Sequence, residues 1–301
     1  MISWAKAKRT VQRPQFRFGL LVLVPIVAWY VLFSFRPVVT AFRMSVIDYK
    51  LLDPASSVFV GLQHFETLFT KYELFWTASL NTLKYALLVN LGMLPLAMLF
   101  AYCISYVARG RNWYQWALFL PVVVSMAAVA LMFRFLMDPD VGILNHILRS
   151  VGLPVCRWFT GPTSAMYSIV AVDIWKVVGV YTVLLSAGLL SVPDELYDAA
   201  KVDGANAWQI FWRVTLPLMS HTLKLVAILV TIGALQVYVS ANILTRGGPG
   251  YATYMISEFV LGEAFTNLRF GLASAAAFVL FVVILVVTLF QLRLMRTEWE
   301  Y

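Results

Sequence analysis

This sequence is poor in the residues that build chemical centres. Only two cysteines and three histidines occur in 301 residues. Cys103 lies inside an apolar segment and Cys156 in an expected outer loop, so no disulfide framework is expected. His64, His146 and His221 are scattered, without acidic or thiol neighbours at ligand spacing, and no metal site is expected either. Charged residues make up only 13% of the chain, against roughly 25% in an average soluble domain. So little charge excludes a water-soluble globule. No grouping of His, Asp or Ser stands at catalytic spacing, so an enzyme is not expected. The Gly-rich run at 246–250 lacks the GK[ST] ending of a phosphate loop.

What fills the chain is apolar. Hydrophobic residues reach 61%, the mean hydropathy is +0.80, and the apolar residues come in blocks long enough to cross a bilayer, for which about 20 residues suffice. The expected fold class is an all-α polytopic membrane protein, one transmembrane domain over residues 1–301. Its six segments are Phe18–Phe42, Ala78–Ala108, Trp113–Met137, Ser164–Leu190, Met219–Leu244 and Phe270–Leu292. The second is over-long and holds Pro95 with polar Asn81, Lys84 and Asn90, which predicts a tilted or kinked helix starting outside the hydrocarbon. No other segment resolves into two spans.

The formal net charge of +8 is spread along the chain near the ends of these segments, a topological pattern rather than a phosphate-binding face. Lys6, Lys8, Arg9, Arg13 and Arg17 precede the first segment. Arg109 and Arg111 sit in the second loop, Lys201 and Arg213 in the fourth, and Arg293 and Arg296 at the tail. The odd-numbered loops hold fewer (Lys50, Lys71, Arg149, Arg157, Arg246), offset by acids. The bias places both termini in the cytoplasm. The basic start and first apolar run continue to Arg36-Pro37 without a small-residue cleavage site, which predicts a retained helix rather than a signal peptide.

One polar insertion needs explaining, SVPDELYDAAKVDGANAWQIFWRVTLP at Ser191–Pro217. Ser191 followed by Asp194 predicts a capping box and Pro193 suits a first helical turn. A helix to about Asp203 then carries Leu196, Ala199 and Ala200 on one face. Gly204 supplies a left-handed break, and Asn206 with Gln209 predicts a second cap. The following helix carries Ile210, Phe211 and Val214 and stops before Pro217. This pair of helices could rest on lipid headgroups or present small alanines to a protein. Its acids, Asp194, Glu195, Asp198 and Asp203, disfavour anionic lipid.

The stretch YDAAKVDGANAWQIFWRVTLP resembles the "EAA" loop of permease subunits in binding-protein-dependent ABC importers, with Asp198-Ala199-Ala200, Gly204 and Val214-x-Leu216-Pro217 at the patterned positions. Asp198 stands for Glu and Val214 for Ile. LTRGGPGYAT at Leu244–Thr253 is similar to the LTxGGP signature of sugar permeases of the MalF and UgpA type. GLASAAAFVLFVVILV at Gly271–Val286 resembles their last helix, and FVGLQHFETLF at Phe59–Phe69 the segment before their second span. The resemblance runs from about Phe18 to Arg296. It implies the MetI-like, type I importer permease fold in a bacterial cytoplasmic membrane, and half of a pathway for a di- or oligosaccharide.

The implied partners are a second permease subunit, two ATP-binding cassette subunits and an extracytoplasmic solute-binding protein. ATP and Mg would be used by those partners and no cofactor by this chain. The implied coupling residues are Glu195, Asp198, Ala199, Ala200, Asp203, Gly204, Leu216 and Pro217. Span five offers Gln236, Tyr238, Ser240 and Asn242 as polar side chains that lipid disfavours, and Tyr181 falls where the family contacts sugar. Each could instead serve interhelical hydrogen bonding. Asp173 and Lys176, three apart, are expected to pair on one helix face. Arg134 either snorkels to the outer surface or lines the cavity mouth. A glycerol-phosphate-type or other polar solute remains an alternative, as does an ion-coupled secondary transporter, although no internal repeat is visible.

Overall fold

A computed structural model describes residues 14–51, 53–105, 107 and 109–294. The basic residues Lys6, Lys8, Arg9, Arg13 and Arg296 lie outside the described residues. Helix α1 joins Pro14–Tyr30, a π turn at Val31–Phe35, and Arg36–Ser45. The wide turn falls immediately before Arg36-Pro37. Proline has no N–H and its ring collides with the carbonyl four residues back, and one extra residue in the turn relieves both problems. The portion Leu21–Ser45 is long and apolar enough to cross a membrane, and none of its most apolar window is buried within the protein.

After α1 a short hairpin pairs β1 (Ile47–Asp48) antiparallel with β2 (Val58–Phe59), with Ile47 opposite Phe59. Helix α2 (Gln63–Lys71) leads into α3 (Glu73–Ser105), 33 residues long and unbroken at Pro95. At 1.5 Å per residue α3 measures about 50 Å, well beyond the roughly 30 Å hydrocarbon core. Part of it therefore exceeds what a perpendicular crossing needs, and the helix begins earlier than Ala78.

The third apolar segment is not one straight helix. It divides into α4 (Arg111–Val123) and α5 (Met126–Leu136), which meet at 93°. Ser125 makes the break by capping α5, its hydroxyl accepting from the N–H of Ala128 at 3.3 Å, a competitor that ends a helix when it sits at an N-cap. Helix α6 (Ile143–Ser150) follows, then α7 (Ser164–Leu190), which coincides with the expected fourth segment.

Two shorter helices, α8 (Asp194–Val202) and α9 (Ala207–Leu218), form the polar insertion. Helix α9 meets α10 (Ser220–Leu235) at 71°. The fifth segment also divides, since α10 stops at Leu235 and α11 (Val239–Thr245) begins after an irregular stretch at 236–238. Helices α12 (Ile256–Leu261) and α13 (Phe270–Leu294) complete the described residues.

Among the described residues, four helices are long and apolar enough to cross a membrane, or up to six spans if each bent pair counts as one. Helices α3 and α7 pack along much of their lengths and form the centre, flanked by α4, α10 and α11. Their shared core includes Met93, Ala97, Ala101, Ile169, Val172 and Leu185. In lipid the apolar effect gives little drive between helices, so close approach through small residues matters. Gly179 illustrates this, because a Cβ there would meet the backbone of Leu118 and Phe119 on α4. A second cluster, with Leu68, Phe75, Phe259 and Ala276, ties α2 and α12 to α3 and α13.

Candidate functional site

The polar insertion is built by local rules. Helix α8 ends in a Schellman motif: the N–H of Ala205 reaches the carbonyl of Ala200 at 3.0 Å and that of Gly204 reaches Lys201 at 3.0 Å. The residue between must be left-handed, and Gly204 has φ +77° with open space around it. Two residues on, Asn206 and Gln209 close the expected capping box reciprocally, each bond 2.9 Å long.

Three local expectations fail. Ser191 does not cap α8; its hydroxyl turns back to the carbonyl of Gly188 at 2.7 Å, finishing α7 instead. Pro193, extended at ψ 133°, occupies the N-cap position rather than the first turn. Nor does the second helix stop before Pro217. It passes through as a π turn at Phe211–Thr215 followed by Leu216–Leu218, the same solution seen at Pro37.

No residue of α8 is buried. Glu195, Asp198, Ala199, Asp203 and Gly204 are exposed and Ala200 is half-buried. Asp198 pairs with Lys201 at 2.9 Å, both well exposed, so the pair is worth little. Leu216 is half-buried and Pro217 exposed at the bend into α10. Beneath α8 lies a polar cavity of about 500 Å³ bordered by Arg111, Asp194, Tyr197 and Asp198. Helix α9 differs: Trp208 and Trp212 are 69% and 49% exposed and edge an apolar groove with Leu94, Met98 and Phe211.

A second constellation lies among α3, α7, α10 and α11. A cavity of about 300 Å³ is lined by Tyr85, Asp173, Tyr181, Tyr238 and Ser240 among apolar side chains such as Val89, Met93 and Met126. Tyr85 donates to Oδ2 of Asp173, and Ser240 donates to the same oxygen at 2.7 Å. The break after α10 makes this possible, because it lets α11 start in a new direction with Ser240 facing α7. Of the residues singled out from sequence, Tyr181, Tyr238 and Ser240 line this cavity. Gln236 is exposed at the end of α10. Asn242 turns away, donating to Glu258 of α12 at 3.3 Å.

The expected Asp173–Lys176 pair does not form. Lys176 donates to the carbonyl of Val122 at 3.3 Å, while Asp173 serves Tyr85 and Ser240. Arg134 is exposed and donates to the carbonyl of Ile243 at 3.3 Å; it is not among the residues that line the cavity. Tyr85 and the two methionines carried no signal in the sequence, since an aromatic or Met inside an apolar run reads as ordinary packing. Only the polar neighbours of Tyr85 hinted at this face of α3.

The Gly-rich stretch folds on itself on the far side. Thr253, fully buried, bonds to Thr245 at 2.7 Å and to the carbonyl of Gly248 at 2.7 Å. Asn81 of α3 clamps it by donating to the carbonyls of Tyr251 and Tyr254 at 2.8 and 3.1 Å. Glu258 anchors the next turn, accepting from the N–H of Met255 at 3.0 Å, and its burial raises its pKa above the usual carboxylate range.

Bent helices around a central cavity, with a capped helical pair projecting at one end, define a helical membrane permease fold. The sequence pattern described as "Binding-protein-dependent transport system inner membrane component" matches residues 93–297. The chain belongs to that family of permease subunits. It is similar to "Probable ABC transporter permease protein YurN" of Bacillus subtilis, 32% identical over 285 residues, covering 93% of this chain and 96% of that protein. It is likewise similar to "Trehalose/maltose transport system permease protein MalF" of Thermococcus litoralis, 32% identical over 282 residues, covering 93% and 94%. A chain from "Crystal structure of bacterial alginate ABC transporter in complex with alginate pentasaccharide-bound periplasmic protein" superimposes with a TM-score of 0.82 at 27% identity, covering 97% of this chain and 96% of that one.

Proposed function

We propose that this chain forms one half of the pathway of a bacterial inner-membrane sugar importer and transmits the work of separate ATPase subunits through α8. The observation that carries the proposal is a helix secured at its C-terminal end by the Gly204 motif, yet with no buried residue. A rigid, uncovered helix with small side chains suits insertion into a cleft on a partner. The acids Glu195, Asp198 and Asp203 supply polar contacts and Ala199 and Ala200 allow close approach, while Leu216 and Pro217 form the bend that passes movement into α10. The exposed tryptophans belong to α9, where a headgroup-level aromatic belt is expected. The two helices therefore divide the roles that the sequence left open.

In this reading α4 with α5, and α10 with α11, each count as one span beside α1, α3, α7 and α13. That makes six crossings, with both termini in the cytoplasm as the Lys and Arg distribution favours. A second permease subunit completes the pathway, two ATP-binding subunits hold the ATP and Mg, and an extracytoplasmic binding protein delivers the solute. The rings of Tyr181 and Tyr238 and the hydroxyl of Ser240 supply the stacking and hydrogen bonding that a sugar needs, with Gln236 and Asn242 outside the cavity wall. Closure of the ATPases then turns the cavity from one side to the other by rigid-body movement of helices.

Lengthening one side chain on α8 tests this. The complete transporter carrying Ala200→Arg is expected to insert normally and to lose both its ATPase subunits and solute uptake on purification. Retention of ATPase subunits with unchanged uptake would refute the assignment.

A further inference from the structure

We propose that Asp173 is a specificity-determining residue of the pathway: its free carboxylate oxygen receives a hydroxyl of the solute, and its charge turns anionic solutes away. The inference rests on the cavity among α3, α7, α10 and α11 being the pathway.

Three observations support it. Both hydrogen bonds accepted by Asp173 end on Oδ2, from Tyr85 and Ser240, and Oδ1 accepts none. Oδ1 is also not among the fully enclosed polar atoms without partners, while Asp173 lines the cavity; the free oxygen therefore faces that space. Most buried side-chain polar groups are paired, so a carboxylate oxygen left open toward a cavity is placed to accept from a solute.

The second observation is the direction of the donors. Two hydroxyls on one oxygen fix the carboxylate plane and leave the other oxygen aimed by the scaffold. Such pre-set acceptors lose little freedom when a ligand arrives.

The third is the absence of a counter-charge in the wall. Among the described residues, the cavity lining holds no lysine, arginine or histidine. Lys176, one turn along α7, is directed to the carbonyl of Val122. An anionic group placed near the Asp173 carboxylate would meet like-charge repulsion, which lowers its affinity relative to a neutral hydroxyl. The remaining wall is apolar and suits the C–H faces of a ring. The solute class is therefore a neutral polyhydroxy compound, and uronates and phosphate esters are disfavoured.

The test uses the complete transporter in proteoliposomes with its binding protein. That protein is first screened by thermal shift against neutral oligosaccharides, uronates and glycerol phosphate, and the solute it retains is then used for uptake. Neutral sugar is the expected ligand. Asp173→Asn, which keeps shape and an acceptor but not charge, is expected to assemble and to hydrolyse about tenfold more ATP per solute moved, the loss of one hydrogen bond to a charged group. Solute that is released into the cavity but poorly held escapes before the cycle closes.

An unchanged ATP-to-solute ratio overturns the inference, as does parallel loss of ATPase and uptake in the assembled variant, which is the mark of a scaffold residue. Exclusive retention of anionic solutes by the binding protein overturns it without any variant. Retention of an amino acid would instead refute the sugar assignment, and the ATP-to-solute ratio would still judge Asp173.

Discussion

The ammonium nitrogen of Lys176 lies 3.3 Å from the carbonyl oxygen of Val122, so that α7 covers the open end of α4 where the chain turns 93° into α5. The last carbonyls of any helix lack partners, and in an apolar layer water does not replace them. A cation at that end satisfies one carbonyl and complements the helix dipole.

Replacing Lys176 by Met, a side chain of similar length, removes this cap. The expected cost is about 2 kcal/mol, the worth of a hydrogen bond to a charged group. It should be read as a lower melting temperature of the detergent-solubilised transporter, with Lys176→Arg intermediate. An unchanged melting temperature for Lys176→Met would show that the break stands without its cap.

Gly179 faces the same helix. A Cβ there would lie 2.5 Å from the carbonyl carbon of Leu118 and 3.0 Å from Cα of Phe119, and backbone cannot give way as a side chain can. Gly179→Ala should force α4 and α7 apart and destabilise by roughly 1–3 kcal/mol or more. The measurement is the same thermal denaturation, and wild-type stability would exclude such close packing in the membrane.

Gly204 is required for a different reason. Its surroundings are open, so only its positive φ restricts substitution. Asn tolerates the left-handed region and bulky residues do not. Gly204→Asn is expected to retain most uptake, and Gly204→Trp to insert normally but abolish it. Equal uptake by the two variants would contradict a role for this turn.

Glu258 gives a pH dependence of stated sign. Burial raises its pKa in the folded state, opposed by the N–H of Met255 and the amide of Asn242. A carboxyl with a raised folded pKa binds its proton more tightly when folded. Its contribution to stability is therefore present below the unfolded pKa and is lost as pH rises through the folded value. Stability of this segment, read by hydrogen exchange over residues 253–262, should fall across that window. Glu258→Gln should remove the slope whatever its effect on the baseline.

Much of the polar insertion was legible because its signals act within a few residues. The Gly204 turn and the Asn206–Gln209 box both form as their spacing implies. Ser191 misled because a serine between two helices can cap the second or bond back to the first, and nothing local chooses. Pro217 misled because a π turn lets a helix run through proline, at the expense of one residue of register.

The apolar runs and the grammar of caps by themselves determined a helical membrane protein with a structured polar insertion between its fourth and fifth segments. Tertiary structure alone decided which polar side chains meet. Tyr85 and Asp173 stand 88 residues apart and Asp173 and Ser240 stand 67 apart. Their convergence depends on how α3, α7 and α11 are rotated and staggered against one another, and that register is set by packing over whole helix faces. The same packing separated Asp173 from Lys176, which spacing alone had paired. It also broke two apolar segments at places where a capping serine and an irregular turn outweighed continuous helix.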